Sequence, residues 1–190
     1  MLTKVLGIDP GSETTGWGVI EGSERCYSLV EFGVVRATSA QPFAERLLKI
    51  SEGLEQVIQR LRPDVCSIEE TFFAANVKTA LKLGHARGVA ILAAARARLP
   101  VHEYSARLIK QTVVGYGAAE KHQVQEMVRL LLKLAAVPQP HDAADALAAA
   151  ICHLHHAGVS NRVIAAEAQV KIRHSSAIAR RRAPRSSDGD

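Results

Sequence analysis

Four acidic residues follow or open apolar segments of the chain. Asp9 and Glu69 each end a short apolar run, while Asp142 and Asp145 lie three residues apart in an alanine-rich segment, a spacing that places both carboxylates on one face of a helix. Carboxylates brought together repel one another, and a hard divalent cation such as Mg²⁺ relieves that repulsion. Two such ions about 3.5–4 Å apart can activate water on one side of a phosphodiester and stabilise the leaving oxygen on the other.

Three of the acids also have an ordinary structural interpretation. Asp9 before Pro-Gly is typical of a turn, Asp142 could cap a helix, and Asp145 would be a favourable acid in the first helical turn. Glu69 is harder to explain in this way, because an acid that ends a buried strand needs a partner. The combination of the four, more than any single acid, therefore predicts a metal-dependent site that hydrolyses phosphodiesters.

Hydrophobic periodicity predicts the elements that must position these acids. Apolar runs rich in β-branched and aromatic residues predict five strands, and apolar residues at helical spacing predict five helices. The strands are expected at Thr3–Asp9, Thr15–Ile20, Cys26–Ala37, Val65–Glu69 and Val101–Tyr104, and the helices at Pro42–Leu61, Asn76–Leu99, Ala106–Val113, Glu120–Ala135 and Asp142–His156.

This order of elements predicts an α/β fold with a mixed five-stranded sheet and helices on both faces. If the first and fourth strands are neighbours, Asp9 and Glu69 lie side by side and the last helix can cross them. Because side chains alternate along a strand, only one of Glu69 and Glu70 can join the cluster, and we select Glu69. His141, next to Asp142, is interpreted as an exposed residue at the helix start, with participation in catalysis as the alternative.

The composition is that of one ordinary globular domain. Hydrophobic residues make up 47% and charged residues 23% of the 190 residues, and no apolar run approaches the ~20 residues that a bilayer requires. Three widely spaced cysteines and the absence of a signal-peptide pattern predict a reduced, cytoplasmic protein. His153 and His156 would share a helix face, but no acid accompanies them and no metal role is predicted there.

The basic character is concentrated at the end of the chain. Residues 159–190 carry seven Lys or Arg against three acids, so the composition predicts a basic, flexible tail there. The domain that carries the four acids is then expected over 1–158. If the tail adds nonspecific phosphate affinity, deleting it should flatten the salt dependence of nucleic-acid binding.

The motifs resemble those of bacterial RuvC-type Holliday junction resolvases, in order along the chain from about residue 4 to 156. The similar segments are Gly7–Ser12, Thr15–Ile20, Ile68–Phe72, Ala80–Gly84 with Ala86–Gly88, Lys110–Gly115, Ala119–Lys121 and Asp142–Ala148. The resemblance implies an RNase H-like fold and a homodimer. It also implies an endonuclease that cuts two opposed strands of a four-way DNA junction during recombination and repair, working with a branch-migration helicase complex.

The resemblance also implies roles for individual residues. Asp9, Glu69, Asp142 and Asp145 would be the catalytic acids that bind metal, which we expect to be two Mg²⁺ per subunit with Mn²⁺ able to substitute. Lys110 and Lys121 would lie near the scissile phosphate, either attracting DNA or stabilising charge during cleavage. A bacterial protein of this kind is expected in the cytoplasm, associated with the nucleoid.

Cations and aromatic rings supply candidate DNA contacts. Lys78, Lys82 and His85 repeat along one face of the second helix, and Phe72-Phe73 closely follows Glu69 in an expected loop, where an exposed ring could stack on an unpaired base. Adjacent phenylalanines also occur in cores, and lysines at this spacing on solvated faces. The remaining candidates are Arg87, Arg107, Lys110, Lys121 and His122.

Small residues recur every four positions on the second helix, at Ala80, Gly84 and Gly88. Glycine inside a helix costs about 1 kcal/mol relative to alanine, so the pattern indicates a close backbone approach. Packing against the sheet is one explanation and a two-fold dimer contact is the other, which the resemblance favours.

Three rival functions follow from parts of the same pattern. The Gly-Ile-Asp-x-Gly start also resembles the phosphate-binding turn of actin-like ATPases and sugar kinases, but those proteins need two such lobes and 190 residues cannot supply both. A nuclease acting on structured RNA, and a protein that binds branched DNA without cutting it, are the other two. Substrate comparison in a Mg²⁺ assay separates these last two from a junction nuclease.

Overall fold

The sheet of this computed structural model places the first strand at its centre. The structure describes residues 2–23, 26–70 and 76–158. The strands are β1 (Thr3–Asp9), β2 (Thr14–Ser23), β3 (Cys26–Arg36), β4 (Val65–Glu70) and β5 (Val101–Ser105), and their order across the sheet is β3-β2-β1-β4-β5. The β1–β2 and β2–β3 pairs are antiparallel, while β4 runs parallel to both β1 and β5. The predicted mixed five-stranded sheet is confirmed.

Helices cover both faces of this sheet. They are α1 (Phe43–Leu61), α2 (Val77–Arg96), α3 (Ala106–Val114), α4 (Lys121–Leu131) and a last helix, α5, described over 141–158. One apolar core joins α1 and α2 to the first face of the sheet, and the other joins α3, α4 and α5 to the second face. No helix within the described ranges is long and apolar enough to cross a membrane.

Strand alternation decides which side chains of β1 reach which helices. Leu6 and Ile8 are fully buried in the core formed with α1 and α2, whereas Val5 belongs to the core formed with α5. Gly7 and Asp9 share the parity of Val5 and therefore face α5. In the parallel pair of β1 and β4, Ile8 lies opposite Ile68, which puts Asp9 beside Glu69 at the same end of the sheet.

The prediction for α4 extended four residues too far. The helix ends at Leu131 instead of Ala135, because Lys133 adopts a left-handed backbone conformation with φ 54°. The Leu134 amide then donates to the Arg129 carbonyl at 2.9 Å, which closes the end of the helix. The apolar residues beyond the turn continued the periodic pattern without continuing the helix.

Candidate active site

Glycines on β1 and β2 allow α5 to lie almost in contact with the sheet backbone. A Cβ at Gly7 would lie 1.9 Å from the Ala146 carbonyl oxygen, and one at Gly16 would lie 1.9 Å from the Asp142 carbonyl oxygen. Real side chains do not tolerate such distances, so these positions require glycine. The N-terminal turns of α5 are therefore held against β1, which carries Asp9, and against β2, whose Gly16 pairs with Asp9.

A buried hydrogen bond attaches the same helix to β4. The Ser67 hydroxyl, fully buried, donates to the Ala149 carbonyl oxygen at 2.7 Å. Because side chains alternate along the strand, Ser67 and Glu69 face α5 together and Glu70 points to the other side. Three separate segments thus bring their acids to one place, as the sequence predicted.

The pKa of Asp9 reflects the charges of the other three acids. Burial, followed by the charges of Glu69, Asp145 and Asp142, raises the pKa of Asp9 to about 8, against a smaller opposing effect of Lys121. Burial and the charge of Asp145 raise the pKa of Glu69 to about 7, while Lys121 and Lys110 oppose the rise. The four acids therefore form one electrostatically coupled group.

Two lysines bring positive charge to this group. Lys121 Nζ lies 2.7 Å from an Asp145 carboxylate oxygen. Burial alone would lower the pKa of Lys121, but the hydrogen bond to Asp145 and the charges of the nearby acids raise it. Burial raises the pKa of Asp145, and Lys121 partly offsets that rise. Lys110, on α3, approaches the cluster from the side of Glu69.

Glu69, Asp145, Lys110 and Lys121 line a cleft of about 220 Å³. Ile109 and Val124 contribute buried apolar walls, so the cleft presents opposite charges over a hydrophobic floor. The cluster of carboxylates is partly buried and lies beside ammonium groups. This arrangement suits an anionic substrate, provided that a cation offsets the negative charge.

The donor chemistry of the four acids fits a hard divalent cation. All the candidate ligands are carboxylate oxygens, and their mutual repulsion is what a cation would relieve. Among the residues that the structure describes, however, no three Asp, Glu, His or Cys side chains already stand as a metal-binding group. Asp145 is directed to Lys121 instead, so a cation would require these side chains to reorient.

His141 and the histidines further along α5 have different surroundings. His141 is exposed at the start of the helix, and its charge slightly offsets the rise that burial causes in the pKa of Asp145. His153 bonds to the Tyr104 hydroxyl at 2.9 Å and His156 to the Thr112 hydroxyl at 3.2 Å. At 1.5 Å per residue, these two histidine positions lie about 12–21 Å along α5 from Asp142 and Asp145.

The predicted DNA contacts fall in several places. Lys78 is exposed on α2 and Lys82 is half-exposed, whereas Arg87 forms an ion pair with Glu103 of β5. Arg107 is exposed on α3, with its side chain beside Gly117. The predictions for Phe72 and Phe73, and for the tail over 159–190, concern residues outside the described ranges. All of these DNA contacts stay predictions.

Sequence reasoning missed two residues that hold the loop after Asp9. Thr15 is fully buried and its hydroxyl donates to the Gly11 carbonyl at 2.8 Å. Arg46 is 4% exposed and its Nε donates to the Ser12 carbonyl at 2.9 Å. A signal was present for Arg46, because it occupies a helix position on the same face as the buried Ile50 and Leu54.

The fold and the carboxylate cluster define a nuclease of the RNase H-like class. The family model "Crossover junction endodeoxyribonuclease RuvC" matches residues 5–153. The chain belongs to this family of metal-dependent endonucleases, and the resemblance seen in the sequence is confirmed.

Relatives of known name or structure agree with this assignment. The chain is 52% identical to the RuvC of Chloroflexus aurantiacus over 84% of this chain and 97% of that protein, and 53% identical to the RuvC of a Geobacter species over 82% and 94%. It is 36% identical to the RuvC of T. thermophilus solved with a Holliday junction substrate, with a TM-score of 0.79 over 83% of this chain and 96% of that one. The yeast mitochondrial resolvase Ydc2, at 12% identity and a TM-score of 0.57, shares the fold.

Proposed function

We propose that this endonuclease resolves four-way DNA junctions by paired nicks in two opposed strands, with Asp9, Glu69, Asp142 and Asp145 as its catalytic acids. The observation that carries the proposal is the electrostatic coupling of Asp9 to the other three carboxylates at the end of the sheet. The T. thermophilus RuvC relative was solved with a Holliday junction substrate, which supports the choice of branched DNA. Such cutting belongs to homologous recombination and DNA repair.

We assign the four carboxylates as ligands for Mg²⁺, two ions per subunit, with Mn²⁺ able to substitute. When bound, the ions supply an activated water and stabilise the leaving oxygen. The protein's part is to hold Asp9 and Glu69 on adjacent strands and to bring Asp142 and Asp145 over them on α5. Burial of the cluster strengthens its interaction with any cation.

Lys110 and Lys121 are assigned to the scissile phosphate. Both line the cleft beside Glu69 and Asp145, so either ammonium can approach a phosphate oxygen placed there. Lys78, Lys82, Arg87, Arg107, Phe72 and Phe73 are assigned to the surrounding DNA. Arg87 would have to exchange its ion pair with Glu103 for a phosphate contact.

A homodimer suits a substrate with two opposed strands, because each strand then meets its own active site. Apart from their chain neighbours and the backbone of their own helix, Gly84 and Gly88 have no described atom within 4 Å of the position a Cβ would take, so packing against the sheet does not explain them. They line an open apolar groove with Leu81 and Leu92. We also propose that the protein works with a branch-migration helicase complex. Its expected location is the bacterial cytoplasm, in association with the nucleoid.

The decisive experiment is a cleavage assay on a synthetic four-way junction with Mg²⁺, run beside linear duplex and an RNA–DNA hybrid. Wild type should cut the junction selectively. Asp9→Asn, Glu69→Gln and Asp142→Asn should bind the junction and fail to cut it. Nicking that survives one of these changes removes that residue from the catalytic set.

The rival functions give different results in the same assay. Preferred cutting of the RNA substrate would indicate an RNA-directed nuclease. Junction binding that is equal with and without the Asp9 and Glu69 carboxylates, with no cutting under any metal, would indicate a binding protein.

A further inference from the structure

Arg46 is a buried cation in a position where burial is unfavourable. It lies one turn into α1 and is 4% exposed, among apolar residues that fill the rest of that helix face. Removing a guanidinium from water costs free energy unless hydrogen bonds replace the lost solvation. The positive end of the α1 dipole adds a further unfavourable interaction at this position. A specific contact must therefore offset both effects.

That contact is a backbone carbonyl. Arg46 Nε donates to the Ser12 carbonyl oxygen at 2.9 Å, and Nη2 donates to the same oxygen. The Glu13 carboxylate lies further away, at 3.6 Å, and is 62% exposed. The ring of Phe43 lies 5.6 Å from the guanidinium and covers it. Arg46 is therefore bonded more closely to the main chain of Ser12 than to the carboxylate of Glu13.

The main chain that it holds is the loop directly after Asp9. Gly11 is held on both sides by the Thr15 hydroxyl, which donates to its carbonyl at 2.8 Å and accepts from its amide at 3.4 Å. The Glu13 carbonyl accepts from the Ala37 amide at 2.8 Å. Ser12, between these two anchored residues, is held by Arg46. Three consecutive residues of the loop are thus fixed by Thr15 on β2, Arg46 on α1 and Ala37 just after β3.

We propose that Arg46 is a positioning residue of the nuclease, which fixes the loop 10–13 and through it the orientation of the Asp9 carboxylate. The proposal rests on the catalytic role proposed for Asp9. Backbone pairing to Gly16 anchors Asp9 on its β2 side, and the loop anchors it from the C-terminal side. Removing a residue that orients a metal ligand without contacting the metal typically changes metal affinity or activity by about 10–100-fold.

The test compares Arg46→Met with Arg60→Met, a matched control on the same helix. Arg60 is exposed and pairs with Glu31, so its replacement should leave cutting unchanged. Arg46→Met should lower kcat on a four-way junction by about 10–100-fold and raise the half-saturating Mg²⁺ concentration, while KM for the junction changes by less than about three-fold. Arg46→Lys, which keeps the charge without the planar fork, should recover part of kcat.

A purely structural role predicts a different result. It would lower the Tm of Arg46→Met and leave kcat and the Mg²⁺ dependence of the folded protein at wild-type values, which would overturn the proposal. If Arg46→Met does not fold, Arg46→Lys decides: a several-fold lower kcat at an unchanged Tm supports the proposal, and wild-type kcat overturns it. Asp9→Asn is run in parallel, and if it still cuts, the proposed site itself has failed, whatever Arg46 does.

Discussion

At the scale of one residue, the carboxyl group of Asp9 shows that clustering the acids lowers the stability of the folded protein. Burial and three neighbouring acids hold its pKa at about 8, compared with 3.8 for an ordinary aspartate. Between these two pH values the folded protein retains a proton that the unfolded chain releases. Rising pH therefore favours unfolding over this window, and the destabilisation is complete above about pH 8. Glu69, with a pKa of about 7, acts in the same direction.

Asp9→Asn should consequently stabilise the metal-free protein at neutral and mildly alkaline pH. At pH 8 we expect its Tm to exceed that of wild type by at least about 2–4 °C, the shift that 1 kcal/mol produces in a chain of this size. The difference should shrink as the pH falls toward 5, because both side chains are then increasingly neutral in the folded state. Thermal unfolding in EDTA at several pH values measures it. A difference that does not vary with pH would contradict the coupling of the acids.

Lys121 lies close enough to the acids for a role in the chemical step. Lys121→Met removes the ammonium that contacts Asp145 at 2.7 Å. If that ammonium stabilises charge on the phosphate, kcat should fall by about 100-fold with junction affinity nearly unchanged, as for the loss of one transition-state donor. Lys78→Met, on exposed α2, serves as the control and should change affinity and salt dependence alone. A loss of affinity without a loss of rate would restrict Lys121 to DNA binding.

At the scale of elements, the position of α5 depends on glycine in the strands beneath it. Gly16→Ala would place a methyl group 1.9 Å from the Asp142 carbonyl oxygen, so the helix start must move away from β2. Overpacking of this kind costs about 1–3 kcal/mol. We expect that loss in denaturant unfolding, together with weaker cutting because Asp142 moves with the helix. Equal unfolding free energies for Gly16→Ala and wild type would contradict this account of the packing.

The elements themselves were largely predictable because each has a local signal. Alternation marks the half-buried strands and the 3.6-residue period marks α1, so their bounds agree with the structure to within a few residues. The end of α4 was not predictable in the same way, because Lys133 reverses the chain within a pattern that remains apolar.

The clustering of the four acids was also predictable, but the residues that hold their elements in place were not. Asp9 and Glu69 lie at the ends of buried strands, and that placement is visible in the sequence. Arg46 acts on Ser12, 34 residues away, and Gly16 acts through a helix that begins more than 120 residues later. Such contacts depend on tertiary packing, and a single sequence records them only as unexplained features: a cation on an apolar helix face, and glycines inside a strand.

At the scale of the whole molecule, α2 presents an apolar surface that the described chain leaves uncovered. Leu81 is 59% and Leu92 is 49% exposed, three turns apart along the helix. Gly84 and Gly88 lie between them and leave the backbone accessible. Large apolar side chains around a smooth helix face are typical of an interface between subunits. We expect a second copy of the chain to cover this surface, because a substrate with two opposed strands suits a symmetric dimer.

Leu81→Asp should therefore break the dimer, because it places a charge within the apolar surface of the proposed contact. Sedimentation should show a monomer, and cutting of a plasmid-borne cruciform should yield nicked circles in place of the linear product that paired cuts give. Leu130→Asp, at an equally exposed leucine on α4, is the matched control and should keep both the dimer and the linear product. A Leu81→Asp protein that remains dimeric and still linearises the plasmid would place the subunit contact elsewhere. A monomer that still linearises it would show that paired cutting does not depend on association in solution.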